Sequence, residues 1–273
     1  MATLSRSWNL VKAAWSVLQD DKELVVFPIA SAIALILVTL AFAVPGFFLY
    51  AAGGNEVLGY GLLFVFYLVQ YTVITFANAA LVGAAMMRLR GQNPTLSDGV
   101  QIAFSHFGAI VGYALIAATV GMILQALSER GTLGNIVRSI LGTAWSLITY
   151  LVVPVLVVEN VGPIEAVKRS ALYLRRTWGE QVVGGAGMGL VFFLLFLLVT
   201  ALAVAGVVLG VTLNVPVLII AFVGLGVLAY LVLALLSSTL GGIYSAAVYR
   251  YAAEGRTSKQ FAPELIQNAF RVK

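Results

Sequence analysis

The chain has 273 residues, 61% of them hydrophobic and only 10% charged. A soluble domain is about half apolar and a quarter charged, so a cytosolic enzyme or a nucleic-acid reader is excluded and an all-α polytopic membrane bundle is expected. The net charge of +5 borders the apolar runs instead of forming one patch, which points to membrane orientation, with no nucleic acid as partner. Cysteine is absent, so there is no disulfide framework and no thiolate metal site.

In chain order, the first element is an amphipathic helix with Leu4, Trp8, Val11, Trp15 and Leu18 on one stripe, at the three- and four-residue steps of a helix face. Asp20, Asp21, Lys22 and Glu23 follow and read as a helix-ending turn, with metal binding as the alternative. The first apolar run is Leu24–Tyr50 and the second Val57–Met87. Ala41-Phe42-Ala43 resembles a signal cleavage site, but the run before it is long and helical, so an uncleaved anchor is expected. A second amphipathic helix carries Leu96, Val100, Ala103 and Phe107 after Pro94, with Thr95 and Asp98 placed for a capping box. Phe107–Leu127 and Ile140–Glu159 are the third and fourth runs. A third amphipathic helix begins at Pro163 and carries Ile164, Val167, Ala171, Leu174 and Trp178, with Glu165 and Arg169 spaced to pair. Gln181–Val211 and Val215–Tyr249 are the fifth and sixth runs, and 257–273 is a tail.

About 20 apolar residues cross a hydrocarbon core of roughly 30 Å, so six spans are expected, the longer ones tilted or projecting. Of the 16 Lys and Arg, only Arg130 and Arg138 fall at the ends away from the two termini. That bias places both termini in the cytoplasm and the chain in a prokaryotic plasma membrane. Each odd-numbered run follows an amphipathic helix, so the single domain reads as three repeats of interface helix plus helical hairpin, approximately 1–90, 91–162 and 163–256. The second and sixth runs end alike: Thr75, Ala79, Gly83 and Arg88 in one, Ser237, Gly241, Ser245 and Arg250 in the other. Small residues four apart let helices approach closely in lipid. In the fourth run Glu159 holds the offset of those arginines, which predicts a cytoplasmic charge cluster in which Glu159 pairs with Arg88 or Arg250, with a solvated carboxylate at headgroup level as the alternative.

No ionisable residue lies near the middle of a run, which argues against a proton relay or voltage sensor. The one histidine, His106, reads as a surface residue at headgroup level. No serine nucleophile has a histidine partner, and no phosphate loop or paired-carboxylate site is present. The chain is therefore expected not to be an enzyme and to need no cofactor or metal. Gln70, Asn78, Ser238 and Tyr244 are candidate lining for a passive channel or transport pathway, with interhelical hydrogen bonding as the plainer reading. Lys168, Arg169, Arg175, Arg176 and Trp178 are candidate docking residues for anionic lipid headgroups, at about 1 kcal/mol per cation. The expected function is a passive channel or transport pathway for a small solute or ion, with a lipid-binding or membrane-organising scaffold without transport activity as the alternative. Membrane lipids and a homo-oligomer or another membrane protein are the expected partners.

Two stretches carry a resemblance. One runs Pro154-Val-Leu-Val-Val-Glu159-Asn-Val-Gly162-Pro163-Ile-Glu-Ala166-Val-Lys168-Arg169-Ser170, followed by Arg175-Arg176-Thr-Trp178-Gly179-Glu180. The other is Trp15-Ser-Val-Leu-Gln-Asp-Asp-Lys22-Glu23-Leu-Val-Val-Phe27-Pro28. Both resemble a six-span prokaryotic membrane family of unknown function. More distantly they are similar to the membrane domain beside some glycerophosphodiester phosphodiesterases. The resemblance implies six spans; the family carries no agreed activity, so no catalytic role is transferred, and the phosphodiesterase catalytic domain itself is absent.

Overall fold

The computed structural model describes residues 2–51, 53, 55–178 and 188–267, and the described residues contain no strand. Helix α1 (Ala2–Asp20) and a 3-10 turn (Lys22–Val25) lead into α2 (Val26–Ala51) and α3 (Glu56–Leu89). Next come α4 (Leu96–Ser105), α5 (Phe107–Ser128), α6 (Gly131–Ile148), α7 (Val152–Glu159) and α8 (Pro163–Trp178). The chain closes with α9 (Gly189–Thr212), α10 (Pro216–Glu254) and the short α11 (Pro263–Gln267). Six segments are long and apolar enough to cross a membrane: Lys22–Leu49, Glu56–Leu89, Phe107–Ser128, Gly131–Glu159, Gly189–Thr212 and Pro216–Glu254. The protein is a multi-pass, all-helical membrane protein.

The ends of these helices are set by local chemistry. Asn55 accepts the Val57 N–H at 2.8 Å and starts α3. Thr95 and Asp98 form the expected reciprocal capping box at the head of α4, which satisfies donors that the helix itself leaves open. Gly255, at φ 64°, ends α10 in the left-handed conformation, where a side chain would be strained. The acidic cluster does form the expected turn: α1 stops at Asp20, and Glu23 accepts the Leu96 N–H at 3.2 Å.

The fourth span departs from expectation. It begins at Gly131 instead of Ile140, and it is broken between Ile148 and Val152 into α6 and α7. Pro154 explains the break. It has no N–H to offer the Tyr150 carbonyl, and its ring collides with that carbonyl in a continuous helix.

The core lies toward one end of the molecule. On α3, burial begins at Thr75; on α10 it begins at Thr239; on α2 no residue from 29 to 49 is buried. The ends that meet there carry Lys22, Arg88, Glu159 and Arg250, and we call this the basic end. Toward the far end the hairpins rely on their own contacts. Gln70 donates to Thr39 at 3.0 Å across α2 and α3, and Phe42 meets Phe66 at 5.6 Å. Between α9 and α10, Gly206 lies under the Phe222 ring and Gly210 against Ile219.

The apolar stripes read from the sequence divide between surface and interior. On α1, Leu4, Trp8 and Trp15 are 45%, 46% and 41% exposed, while Ser7, Leu10, Ala14 and Val17 join Leu18 in the interior. On α4, Gly99 and Ala103 are buried while Val100 is exposed, as is Phe107 at the start of α5. On α8 the buried line is Ala166, Ser170 and Leu174, and Ile164 is exposed. Where helices sit in lipid, large side chains lose nothing by facing out, and small ones allow close packing. The tail, as far as it is described, packs back on the core: Phe261 and Ile266 are fully buried, and Gln260 donates to Asp20 at 3.1 Å.

Candidate functional site

Pro154 leaves a buried gap in the fourth span, and α8 fills it. The Ser170 hydroxyl accepts the Leu151 N–H at 3.0 Å and donates to the Ile148 carbonyl at 2.6 Å. Ser170 and Leu151 are both fully buried. Broken helix is tolerated at membrane depth only where other groups satisfy its backbone, and this serine does so from a neighbouring helix.

One turn beyond Ser170, the same helix is tied down by a carboxylate. Asn160, at φ 49°, ends α7 in the left-handed region and lets the chain reverse into α8 at Pro163. The reversal brings Arg169 and Tyr173 over Glu159. Arg169 donates to Glu159 at 2.5 Å and to Glu165 at 2.9 Å. The hydroxyls of Tyr173 and Tyr249 donate to the other Glu159 oxygen at 2.8 and 2.9 Å. The Glu159 side chain is 13% exposed, so three donors clasp a nearly buried anion. The Glu159 hydrogen bond, then that of Glu165, pushes the Arg169 guanidinium above its ordinary range. Burial first, and then the Glu159 carboxylate, pushes the Tyr173 phenol up.

This arrangement corrects the predicted charge cluster. Glu159 pairs with neither Arg88 nor Arg250. Arg88 donates to the Asp20 carbonyl at 2.8 Å and to Asn93 at 2.9 Å. Arg250 donates to the Leu89 carbonyl and lies 3.6 Å from Glu254, which also takes Arg90. Both arginines thus cap the carboxyl end of another helix, where the dipole favours a cation. Asp21 is buried beside them, and loss of water pushes its carboxyl up against the opposing pull of Arg88.

The candidate lining residues have separate neighbours. Gln70 is spent on Thr39, which is the plainer of the two readings. Asn78 sits where α3 meets α10, its Oδ1 3.5 Å from where a Cβ on Gly242 would lie. Ser238 is exposed on α10. Tyr244 is buried, its ring 6.4 Å from that of Tyr150 and stacked at 6.5 Å on that of Phe261.

The packing residues divide as well. Thr75, Ala79 and Ser245 are buried, but Ser237 is only half-buried. Gly83 makes room for α4, since a Cβ there would lie 2.8 Å from Ile102. Against α3 the close approach falls to Gly242, whose Cβ would meet Leu81 at 2.4 Å, whereas Gly241 faces open space. His106 is the joint between α4 and α5, its Nδ1 2.8 Å from the Ile102 carbonyl.

The outer face of α8 holds the remaining candidates. Lys168, Arg175 and Arg176 are exposed, as are Ile164 and Leu172. Arg169 is not free for a lipid, being committed to Glu159 and Glu165. The Trp178 side chain lies outside the described residues, as does the start of the fifth predicted span. Sequence reasoning missed Ser170, Tyr173 and Tyr249. A usable signal existed for the first: a proline within a span demands a donor from elsewhere, and a serine on an amphipathic helix nearby is a natural source.

No curated protein matches the chain. Nothing supports the more distant similarity to the membrane domain of glycerophosphodiester phosphodiesterases. A family model does match, over residues 57–259, from the start of α3 to just beyond α10. That segment contains the broken span, the Ser170 plug and the whole Glu159 clasp, and by it the chain belongs to the family of unknown function DUF6159.

Proposed function

We propose that the protein is a non-enzymatic, lipid-binding scaffold of a prokaryotic plasma membrane. Its basic end docks anionic headgroups, and both termini are cytoplasmic. In this reading the three amphipathic helices open three repeated units, and the protein assembles with itself or with another membrane protein. The observation that carries the reading is the outer face of α8. Ile164, Lys168, Leu172 and Arg175 follow one another at steps of four, four and three, with Arg176 beside them, and all are exposed. Apolar residues reach into the acyl boundary while the cations stay at headgroup level. Ser170 and Arg169 fix the helix from below, so this face is held ready.

Three cations at about 1 kcal/mol each amount to about a hundredfold preference for anionic lipid. The test is lipid retention by the purified protein from mixed phosphatidylglycerol and phosphatidylcholine. The parent is expected to keep phosphatidylglycerol selectively, and a Lys168→Gln, Arg175→Gln, Arg176→Gln variant to lose most of that selectivity. Equal retention by both proteins would refute the docking face. A second reading, passage of a small solute, is favoured by the broken fourth span, because interrupted helices often form transport sites. Solute flux into liposomes holding the purified protein tests it.

A further inference from the structure

A second apolar surface lies away from α8, where the start of α1 rests against α9. Leu4, Ser5 and Trp8 face Val191, Leu194 and Leu198 across a cavity of about 580 Å³. Among the described residues of its walls only Ser5 carries a polar side chain, so a hydrophilic solute finds little to bind there. From Val191 to Leu198 the slot runs about 10 Å along α9. A flexible hydrocarbon chain suits a slot of this length and apolar lining. One turn along α1 from the Trp8 wall, the Lys12 ammonium lies 6.0 Å from the Trp8 ring centroid. Lys12 is exposed, and among the described residues it forms no ion pair within 4.0 Å.

We propose that the slot between α1 and α9 holds one acyl chain of an anionic phospholipid, whose headgroup is received by Lys12. The site rests on the lipid-binding reading but uses none of the α8 cations. Trp8 forms the wall nearest the headgroup, so it reports occupancy directly.

The test uses the full-length protein in vesicles, with Trp15→Phe, Trp145→Phe and Trp178→Phe leaving Trp8 as the only tryptophan. Chain-brominated phosphatidylglycerol, at a few mole percent, is expected to quench Trp8 at least threefold more than brominated phosphatidylcholine. Lys12→Gln is expected to abolish that preference, and Val191→Phe, which fills the slot, to weaken quenching by both lipids. The Lys168→Gln, Arg175→Gln, Arg176→Gln variant is expected to keep the Trp8 preference. Equal quenching by the two lipids, unchanged by Val191→Phe, would overturn the site and leave ordinary surrounding lipid. A preference that survives Lys12→Gln but vanishes in the α8 variant would overturn the slot while upholding α8 docking. Quenching that falls as protein density rises would put a second copy in the slot and overturn it too.

Discussion

Replacing Ser170 with alanine removes the group that bridges the break in the fourth span. Two backbone groups lose their partner, the Leu151 N–H and the Ile148 carbonyl. A buried polar group left unsatisfied costs about 1–3 kcal/mol. Leu151 and Ser170 are fully buried, while Ile148 is 40% exposed, so its carbonyl is discounted and Ser170→Ala is expected to cost about 2–4 kcal/mol. Ser146 supplies the control: its hydroxyl bonds only the Gly142 carbonyl of its own helix, at 2.9 Å on an exposed face. Ser146→Ala is expected to stay within about 0.5 kcal/mol. Pro154→Ala supplies the cycle: with the proline gone, the helix can close across residues 148–152 and no longer needs the serine. Unfolding of detergent-purified protein, followed by tryptophan fluorescence and circular dichroism, measures all four variants. The reasoning fails if Ser170→Ala costs no more than Ser146→Ala, or as much with Pro154→Ala as without it.

The clasp gives a second prediction. Tyr249→Phe removes a hydrogen bond to a charged group and is expected to cost about 1.5–3 kcal/mol in the same assay. Glu159→Gln should couple strongly with Arg169→Gln, whereas combinations with Arg88→Gln or Arg250→Gln should be additive; the reverse pattern would restore the pairing expected from the sequence. Helix packing gives a third: Gly242→Ala pushes a methyl into Leu81 and is expected to cost about 1–3 kcal/mol, while Gly241→Ala meets nothing and should be neutral in thermal unfolding. The fourth concerns pH. Hydrogen bonds from the Thr95 backbone and hydroxyl hold Asp98 below its ordinary 3.8, so its contribution is complete above about pH 4 and disappears as pH falls through the lowered value. Asp98→Asn should therefore flatten the acid limb of stability. Buried Asp21, raised instead, acts with the opposite sign, so the difference between parent and Asp98→Asn isolates the box; a parallel acid limb would contradict it.

The spans were legible because hydropathy over twenty residues reports directly on transfer into hydrocarbon. Which face of an amphipathic helix turns inward was not. Trp8 and Trp15 are hydrophobic enough for a core, yet lipid is as good a solvent for them as protein. Ala14, Ala103 and Ala166 are buried because their small size lets backbones approach, a property that hydropathy does not score. The fourth span was misread at its start because the polar residues between Gly131 and Ile140 lower its hydropathy without ending the helix. The partner of Glu159 was sought by analogy of offsets between spans. The true partners, Arg169 and Tyr173, lie across the left-handed turn at Asn160, and Tyr249 comes from α10; only the folded reversal brings them together. The candidate docking cations could be picked out as residue types, but Arg169 faces a carboxylate, which a helical repeat alone does not reveal.

Six crossings that leave the basic end on one side of the bilayer underlie everything else, and the absence of native cysteine makes them easy to test. Single cysteines at Lys12, Gly91, Lys168 and Lys259 mark the basic end; those at Glu129 and Asn214 mark the far end. Labelling with a membrane-impermeant maleimide, before and after permeabilisation, is expected to divide these positions cleanly into two sets of opposite sidedness, the first protected in intact cells. A single basic-end position labelling with Glu129 and Asn214 would contradict the topology.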